Sequence, residues 1–207
     1  MAMNLSQIAI SNHLEELKRC AACPLMIGPV VTPQPVLSAV YLIGQAPGPH
    51  EGRFGKPFAW TAGKTLFKWF GTIGLDEEQF RALTYMAAVC RCFPGKAVSG
   101  GDRVPNPQEI ANCANWMARE FAILQPKLVI PVGKLAIEQI FGKVQLVDVI
   151  GKTFNKTLFD QCCDVIPLPH PSGASTWFKK EPGISLLNEG LSQIALHPSW
   201  QKLTHNN

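Results

Sequence analysis

The sequence predicts an α/β fold in a single domain, with a central, mostly parallel β-sheet flanked by helices in three layers. Short apolar runs typical of buried strands alternate with helical patterns along the chain. Hydrophobic residues make up 46% of the 207 residues and charged residues only 16%, which suits a sheet buried on both faces. A chain of this length can form one sizeable core. We therefore expect one domain over residues 1–207, with flexible ends at 1–4 and 200–207.

The first half of the chain contains four predicted elements. Leu5, Ile8, Leu14 and Leu17 recur at helical spacing and predict an amphipathic helix. A proline-rich connection then leads to an apolar run that predicts a buried strand. The pattern is repeated once, as a helix and a second strand. These three later elements are predicted at 39–43, 62–70 and 85–89.

The second half begins with a helix start signal. Asn106 is a favoured N-cap, Pro107 suits the first helical position, and Glu109 completes a capping box, so a helix is predicted from here to Ile123. The remaining predicted elements are strands at 128–132 and 164–168 and helices at 134–141 and 186–196. Alternation of this kind predicts parallel strands joined by right-handed crossovers.

The first predicted strand runs into a long segment rich in Gly and Pro, residues 44–58, with Gln45, His50, Glu51 and Arg53 interleaved. Glycine lets a backbone approach a ligand closely, and proline presets the shape of a loop. Ligands of open α/β sheets bind at the carboxyl ends of strands. A structural turn needs only a few such residues. The length of the segment therefore favours a binding loop.

A second candidate loop, residues 169–177, follows the last predicted strand and holds His170 between two prolines. The prolines restrict the backbone, so the imidazole can be directed at one atom. A single histidine in a loop more commonly bonds nearby carbonyls. The tripeptide His-Pro-Ser also occurs twice in this chain, at 170–172 and at 197–199. His170 is the stronger candidate because it follows a strand pattern, whereas His197 follows a helical one.

The cysteines indicate a metal or cluster site. Cys20 and Cys23 have ligand spacing, and Cys90, Cys92 and Cys113 flank a basic segment rich in Gly and Pro. A ligand set made only of thiolates suits zinc or an iron-sulfur cluster, and the residues alone make zinc the safer choice. Because Cys90 and Cys92 alternate in a strand pattern, we expect only one of them to be a ligand.

Charge and hydropathy restrict the partners only weakly. The formal charge of +4 permits a polyanionic partner without requiring one, because the basic residues are spread along the chain. The N-terminus has no basic region followed by an apolar core, and no stretch approaches the length of a membrane span. We expect a cytoplasmic protein, a monomer, with no membrane partner.

Taken together, the motifs resemble those of the iron-sulfur uracil-DNA glycosylases, families four and five. Residues 44–51 and 55–58 are similar to the first family motif, and residues 170–173 to the second. The positions of the family's 4Fe-4S ligands correspond to Cys20, Cys23, Cys92 and Cys113. The resemblance covers roughly residues 20–196. It implies a uracil-DNA glycosylase-like fold, a 4Fe-4S cluster with zinc as the alternative, and a partner DNA containing deaminated bases.

The resemblance also implies a reaction and residue roles. It implies an enzyme that hydrolyses the N-glycosidic bond of a deaminated base, with uracil as the first candidate, after the base has been flipped out of DNA. Phe58 stacks on that base, Gly44 contacts its edge, and His170 donates a hydrogen bond to its carbonyl oxygen. Glu51 positions water or opposes the positive charge of the sugar, and Gln45 orients that water. The residues expected to contact DNA are Ser172, Gly173, Ser175 and Lys179.

Two positions depart from the family-four pattern. That family has Glu where this chain has Gln45, and Asn where Ala88 occupies the base-binding position. Without a side-chain amide, selection for uracil weakens, and the run 87–89 is more similar to family five, which accepts more deaminated bases. The segment 96–103 is also longer than the corresponding segment of these families. Two alternatives remain: a non-catalytic iron-sulfur DNA-binding relative, and a zinc or iron protein without a nucleic-acid role.

Overall fold

Strands and helices alternate along the chain in a computed structural model, which describes residues 4–98 and 100–205. The first half contains α1 (Leu5–Lys18), β1 (Val40–Gly44), α2 (Glu51–Phe54), α3 (Thr61–Gly71), α4 (Glu77–Leu83) and β2 (Tyr85–Ala88). The second half contains α5 (Pro107–Leu124), β3 (Leu128–Pro131), α6 (Lys134–Phe141), α7 (Leu146–Val149), β4 (Phe154–Leu158), β5 (Gln161–Val165), α8 (Gly183–Leu196) and α9 (Pro198–His205). A 3₁₀ turn at Trp177–Lys179 precedes α8.

The five strands form one sheet in the order β2-β1-β3-β5-β4. All neighbours pair in parallel except β4, which pairs antiparallel with β5 at the edge. A bridge between Val132 and Leu168 continues the parallel pairing beyond the ends of β3 and β5. The predicted α/β class with a mostly parallel sheet is confirmed.

Helices cover both faces of the sheet. On one face α3, α4, α8 and α9 pack against alternate strand residues such as Leu42 and Ile130. On the other face α1 and α5 pack against the intervening residues of the same strands, such as Tyr41 and Val129. This alternation follows from the two-residue period of a strand. None of the helices within the described ranges is long and apolar enough to span a membrane.

The helix start predicted at Asn106 is confirmed. The Asn106 side chain accepts a hydrogen bond from the Glu109 amide at 2.9 Å, and the Glu109 carboxylate accepts one from the Asn106 amide at 2.7 Å. Pro107 occupies the first helical position, where its missing N–H costs nothing. Local sequence therefore determines where α5 begins.

The C-terminal residues that we expect to be flexible belong to a helix. Residues 200–205 lie in α9, where Trp200 is 1% exposed and packs in the core with its indole N–H donating to the Ile73 carbonyl at 3.0 Å. At the other end, Asn4 caps α1 by accepting a hydrogen bond from the Ser6 amide. The remaining residues of the expected flexible ends, 1–3 and 206–207, lie outside the described ranges.

Candidate active site

The carboxyl ends of the parallel strands lie at one edge of the sheet, where the loops after β1 and β5 meet. They enclose a cavity of about 460 Å³, within the usual range for small-molecule sites. The predicted site residues that line it are Gly44, Gln45, Glu51, Phe58, Ala88, His170 and Ser172. The first predicted loop is not irregular throughout, because it contains the short helix α2. The fold thus brings the two predicted loops to a single cavity.

The backbone of Phe58 is held from several sides. It has a φ of +52°, and Arg81 donates hydrogen bonds to the carbonyls of Pro57 at 2.8 Å and Phe58 at 3.0 Å. A Cβ on Gly44 would lie 2.9 Å from the phenyl ring, and one on Gly63 would lie 1.8 Å from the Phe58 carbonyl oxygen. Both glycines are therefore required for the close approach. The orientation of the phenyl ring is fixed by the protein itself.

His170 is held as a neutral hydrogen-bond donor. The Ser172 amide donates to Nδ1 at 3.2 Å, so in the neutral ring the proton resides on Nε2. Burial lowers the pKa of His170, and the negative charge of Asp102 opposes this shift only in part. The ring packs on Gly133, where φ is +88° and a Cβ would lie 2.7 Å from Cδ2. The imidazole therefore has a set tautomer and a set position.

Glu51 begins α2 and ties the two ends of the first loop together. Its Oε2 accepts from the Gly48 amide at 2.6 Å, and its Oε1 accepts from the Ala59 amide at 3.1 Å. Burial raises the pKa of Glu51, while these backbone donors act in the opposite direction. The carboxylate is thus part of the loop's framework as well as of the cavity wall.

A hairpin closed by Lys96 and Asp102 contributes a second carboxylate that the sequence analysis missed. Lys96 and Asp102 form an antiparallel bridge and an ion pair of 2.6 Å through Oδ1, and both line the cavity. A Cβ on Gly48 would lie 3.7 Å from Asp102 Oδ2 and 3.6 Å from Glu51 Oε2, so the two carboxylates flank this glycine. The available signal was the Gly100-Gly101 pair, which is typical of a hairpin turn.

The other residues expected to contact DNA lie beside the cavity rather than in its wall. Gly173 is exposed, and the Ser175 amide donates to the Ser172 carbonyl at 3.0 Å. Lys179 is exposed on the 3₁₀ turn. These residues follow His170 in the chain, and their contact with DNA stays a prediction.

A second cavity, of about 360 Å³, is lined by Cys20, Cys23, Cys92 and Cys113. Burial and the neighbouring thiols raise the pKa of Cys92 to about 11. Two N–H groups approach the sulfurs: the backbone amide of Arg91 at Cys113, and Asn112 Nδ2, which is 3.4 Å from Cys23 Sγ. Cys90 is fully buried beside Cys113. The four predicted ligands therefore share one cavity.

The donor set fits an iron-sulfur cluster. Four cysteine side chains line the second cavity, and N–H groups of Arg91 and Asn112 approach two of the sulfurs. Thiolates are the usual ligands of 4Fe-4S clusters, and a set of four also suits tetrahedral zinc. Among residues 4–98 and 100–205, no group of three or more His, Cys, Asp or Glu side chains is already arranged around a single metal position.

Arg91 lines the second cavity and bonds both Ala88, in the wall of the first, and the buried carboxylate of Glu120. Its Nε donates to the Ala88 carbonyl at 2.9 Å, and its terminal nitrogens bond both oxygens of Glu120 at 3.0 and 2.6 Å. The same carboxylate is bonded by His13, Tyr41 and Tyr85. Burial opposes ionisation of Glu120, yet Arg91 and these donors hold its pKa at about 2. The end of β2 is thereby anchored to α5.

Comparison with known proteins decides the family. The family model described as the uracil DNA glycosylase superfamily matches residues 33–191. The chain belongs to this superfamily. The resemblance seen in the motifs is confirmed, and the mostly parallel five-stranded sheet flanked by helices is consistent with the fold of this superfamily.

Curated relatives in the superfamily are distant. A type-4 uracil-DNA glycosylase of Archaeoglobus fulgidus is 28% identical over 138 residues, covering 64% of this chain and 65% of the relative. One from Thermotoga maritima is 28% identical over 163 residues, covering 76% and 79%. A type-5 uracil-DNA glycosylase of Pyrobaculum aerophilum is 26% identical over 155 residues, covering 60% and 66%. The chain thus spans slightly less than two thirds of the Archaeoglobus relative.

Proposed function

We propose that this superfamily member is a DNA glycosylase that removes deaminated bases, uracil first, by hydrolysing the N-glycosidic bond in base excision repair. The observation that carries the proposal is that Phe58 and His170, from opposite parts of the chain, line one cavity. A preset ring and a preset donor suit a flat base flipped out of DNA. The relatives' names, type-4 and type-5 uracil-DNA glycosylase, support the same reaction.

The proposed chemistry separates charge between base and sugar. As the bond from C1′ to the base breaks, its electron pair goes to the base, and negative charge develops on the carbonyl oxygen. The Nε2–H of His170 donates to that oxygen, a stabilisation worth about 3 to 4 kcal/mol for a preorganised donor. The sugar becomes positive, water adds its oxygen to C1′, and the water's proton is released. Phe58 holds the base by stacking on its face.

Two carboxylates face the sugar side of this scheme. Glu51 contributes negative charge, but both of its oxygens accept backbone hydrogen bonds. Asp102 uses Oδ1 for Lys96, while Oδ2 lies on the side of Gly48. We assign Asp102, with Gln45, to orient the attacking water, and Glu51 to brace the loop and oppose the sugar charge.

This division of roles predicts different results for two isosteric variants. Asp102→Asn is expected to lower the excision rate about tenfold or more, because it removes the charge assigned to orient the attacking water. The melting temperature should not change, because the hairpin that carries Asp102 is half-exposed. Glu51→Gln is expected to lower both the excision rate and the melting temperature, because the NH₂ group of the new glutamine would face a backbone N–H. Single-turnover excision and thermal melting measure the two effects. A stable, fully active Glu51→Gln would contradict its assignment.

The proposal includes a 4Fe-4S cluster held by Cys20, Cys23, Cys92 and Cys113. Its support is the shared cavity, the N–H groups near the sulfurs, and the all-thiolate ligand set typical of such clusters. When bound, the cluster supplies a covalent link between segments distant in sequence. These cysteines come from the segment after α1, the loop after β2, and α5. That link would hold the β2 loop, and with it Ala88, in place.

Cys113→Ala is expected to give colourless protein with little iron, because three thiolates leave the cluster labile. Visible absorbance and iron content per chain measure this loss. Cys162→Ser is the matched control, because Cys162 is exposed on β5 and should keep full iron. Full iron in Cys113→Ala would show that another residue is the ligand, with Cys90 beside it as the first candidate.

An excision assay tests the proposed function. Single- and double-stranded oligonucleotides carrying uracil, hypoxanthine or xanthine at one position are incubated with the protein and then treated with alkali, which cleaves abasic sites. Cleavage at uracil is expected, with hypoxanthine and xanthine also accepted, because Ala88 offers no amide to select uracil. No cleavage of any substrate would reject the proposal.

Gln45 and Ala88 favour a second candidate, a non-catalytic DNA-binding relative. Gln45 lacks the carboxylate, and Ala88 lacks the side-chain amide, that family four has at these positions, although both residues line the cavity. The same oligonucleotides distinguish the two functions. Tight binding of uracil-containing DNA without abasic sites would support the second candidate, whereas turnover would exclude it.

A further inference from the structure

Three aromatic side chains form a row at the rim of the cavity: His50, Phe54 and Trp60. The ring centroids of His50 and Trp60 are 4.6 Å apart, and those of Phe54 and Trp60 are 5.9 Å apart with planes inclined by only 25°. Trp60 is 47% exposed and Phe54 50% exposed. Trp60 also lines the cavity, so the row continues the cavity wall outward. We refer to the three residues as the rim stack.

The segment of chain that carries the rim stack is basic. Residues 50–68 contain four exposed charged side chains, Arg53, Lys56, Lys64 and Lys68, and all are cationic. The one acidic residue of this segment, Glu51, is buried. Exposed rings beside cations have the composition of a surface that binds single-stranded nucleic acid, because bases stack on the rings while phosphates pair with the cations.

We propose that the rim stack binds an unpaired base of the DNA strand, next to the flipped nucleotide. This inference rests on the proposed function and adds a stacking subsite to it. An unpaired base offers its whole face to Trp60 and Phe54, whereas a base in a duplex is covered by its neighbours. The rim stack therefore favours single-stranded substrates over duplexes.

The test measures the affinity of the iron-loaded protein for uracil-free oligonucleotides, single- and double-stranded, by fluorescence anisotropy. Trp60→Ala is expected to weaken single-strand binding about fivefold or more, and duplex binding much less. Because no phosphate contact is lost, the slope of log affinity against log salt should not change, whereas Lys64→Ala should make it shallower. Trp60→Phe should retain most of the affinity.

Controls separate the possible failures. Phe159→Ala removes a side chain that is 41% exposed at the β4–β5 turn and should leave DNA binding unchanged. This turn precedes β5, so it lies at the end of the strand away from the cavity. Phe54→Ala serves as a second variant if Trp60→Ala melts early. Equal losses for both strand forms, or no loss, would overturn the inference even if uracil is excised. A wild-type protein that binds no DNA would overturn the proposed function as well.

Discussion

His170→Ala is expected to lower the rate constant of uracil excision by about two orders of magnitude or more, because it removes the donor to the departing base. DNA binding should persist, since the rim stack and the exposed cations of residues 50–68 are unchanged. The structure gives the reason for so large an effect. The Ser172 amide fixes the tautomer, burial keeps the ring neutral, and Gly133 sets its position. Single-turnover kinetics with saturating enzyme isolate this step.

The chain contains its own control for this variant. His197 belongs to a second His-Pro-Ser tripeptide, and the Ser199 amide donates to its Nδ1 at 3.1 Å, the same local geometry as at His170. However, its Nε2 is paired with Asp164 at 3.3 Å, outside the cavity wall. His197→Ala should therefore excise uracil at a rate close to wild type. Equal rates for the two variants would remove His170 from the mechanism.

Glu120→Ala is expected to lower the free energy of unfolding by about 3 to 5 kcal/mol, because it leaves the Arg91 guanidinium buried without a counter-charge. The carboxylate is fully buried, and two tyrosines and His13 lose their acceptor at the same time. Denaturant unfolding of samples with equal iron content measures the loss. Glu120→Gln should recover only part of it, because the amide keeps an acceptor but carries no charge.

The pH dependence of this stabilisation has a definite sign. The pKa of Glu120 is held at about 2 in the folded state, below its unfolded value, so the contribution is present above the unfolded pKa and is lost as pH falls toward 2. The difference between wild type and Glu120→Ala should therefore shrink in acid. Glu16→Ala is the matched control, because its ion pair with Arg119 is half-exposed and worth at most about 1 kcal/mol. A similar loss in both variants would contradict the account.

Much of the fold could be predicted from local sequence. The capping box at Asn106 and the apolar runs of β1, β2 and β3 each carry their own signal, and the structure confirms them. Strand β4 was missed because it lies at the sheet edge, where its residues alternate between partial burial and exposure and form no apolar run. Helix α9 was missed because Trp200 is anchored by Ile73, a contact that spans most of the chain.

The site could be predicted only in part, for a related reason. The two loops carry their own signals in Gly, Pro and a constrained His, and the topology then brings Phe58 and His170 to one cavity. The roles of Asp102 and Trp60 depend on how an inserted hairpin and a helix start are placed against that cavity. No local pattern reports such placement. Likewise, the bonds that Glu51 makes to Gly48 and Ala59 become visible only once the loop is folded.

The most direct test of the central claim is a crystal structure of the protein with DNA carrying a non-hydrolysable C-glycoside analogue of deoxyuridine. We expect to find the base outside the DNA helix, with its face on the Phe58 ring and a carbonyl oxygen within hydrogen-bond distance of His170 Nε2. A base that remains stacked in the DNA, or that occupies a site away from these two side chains, would contradict it.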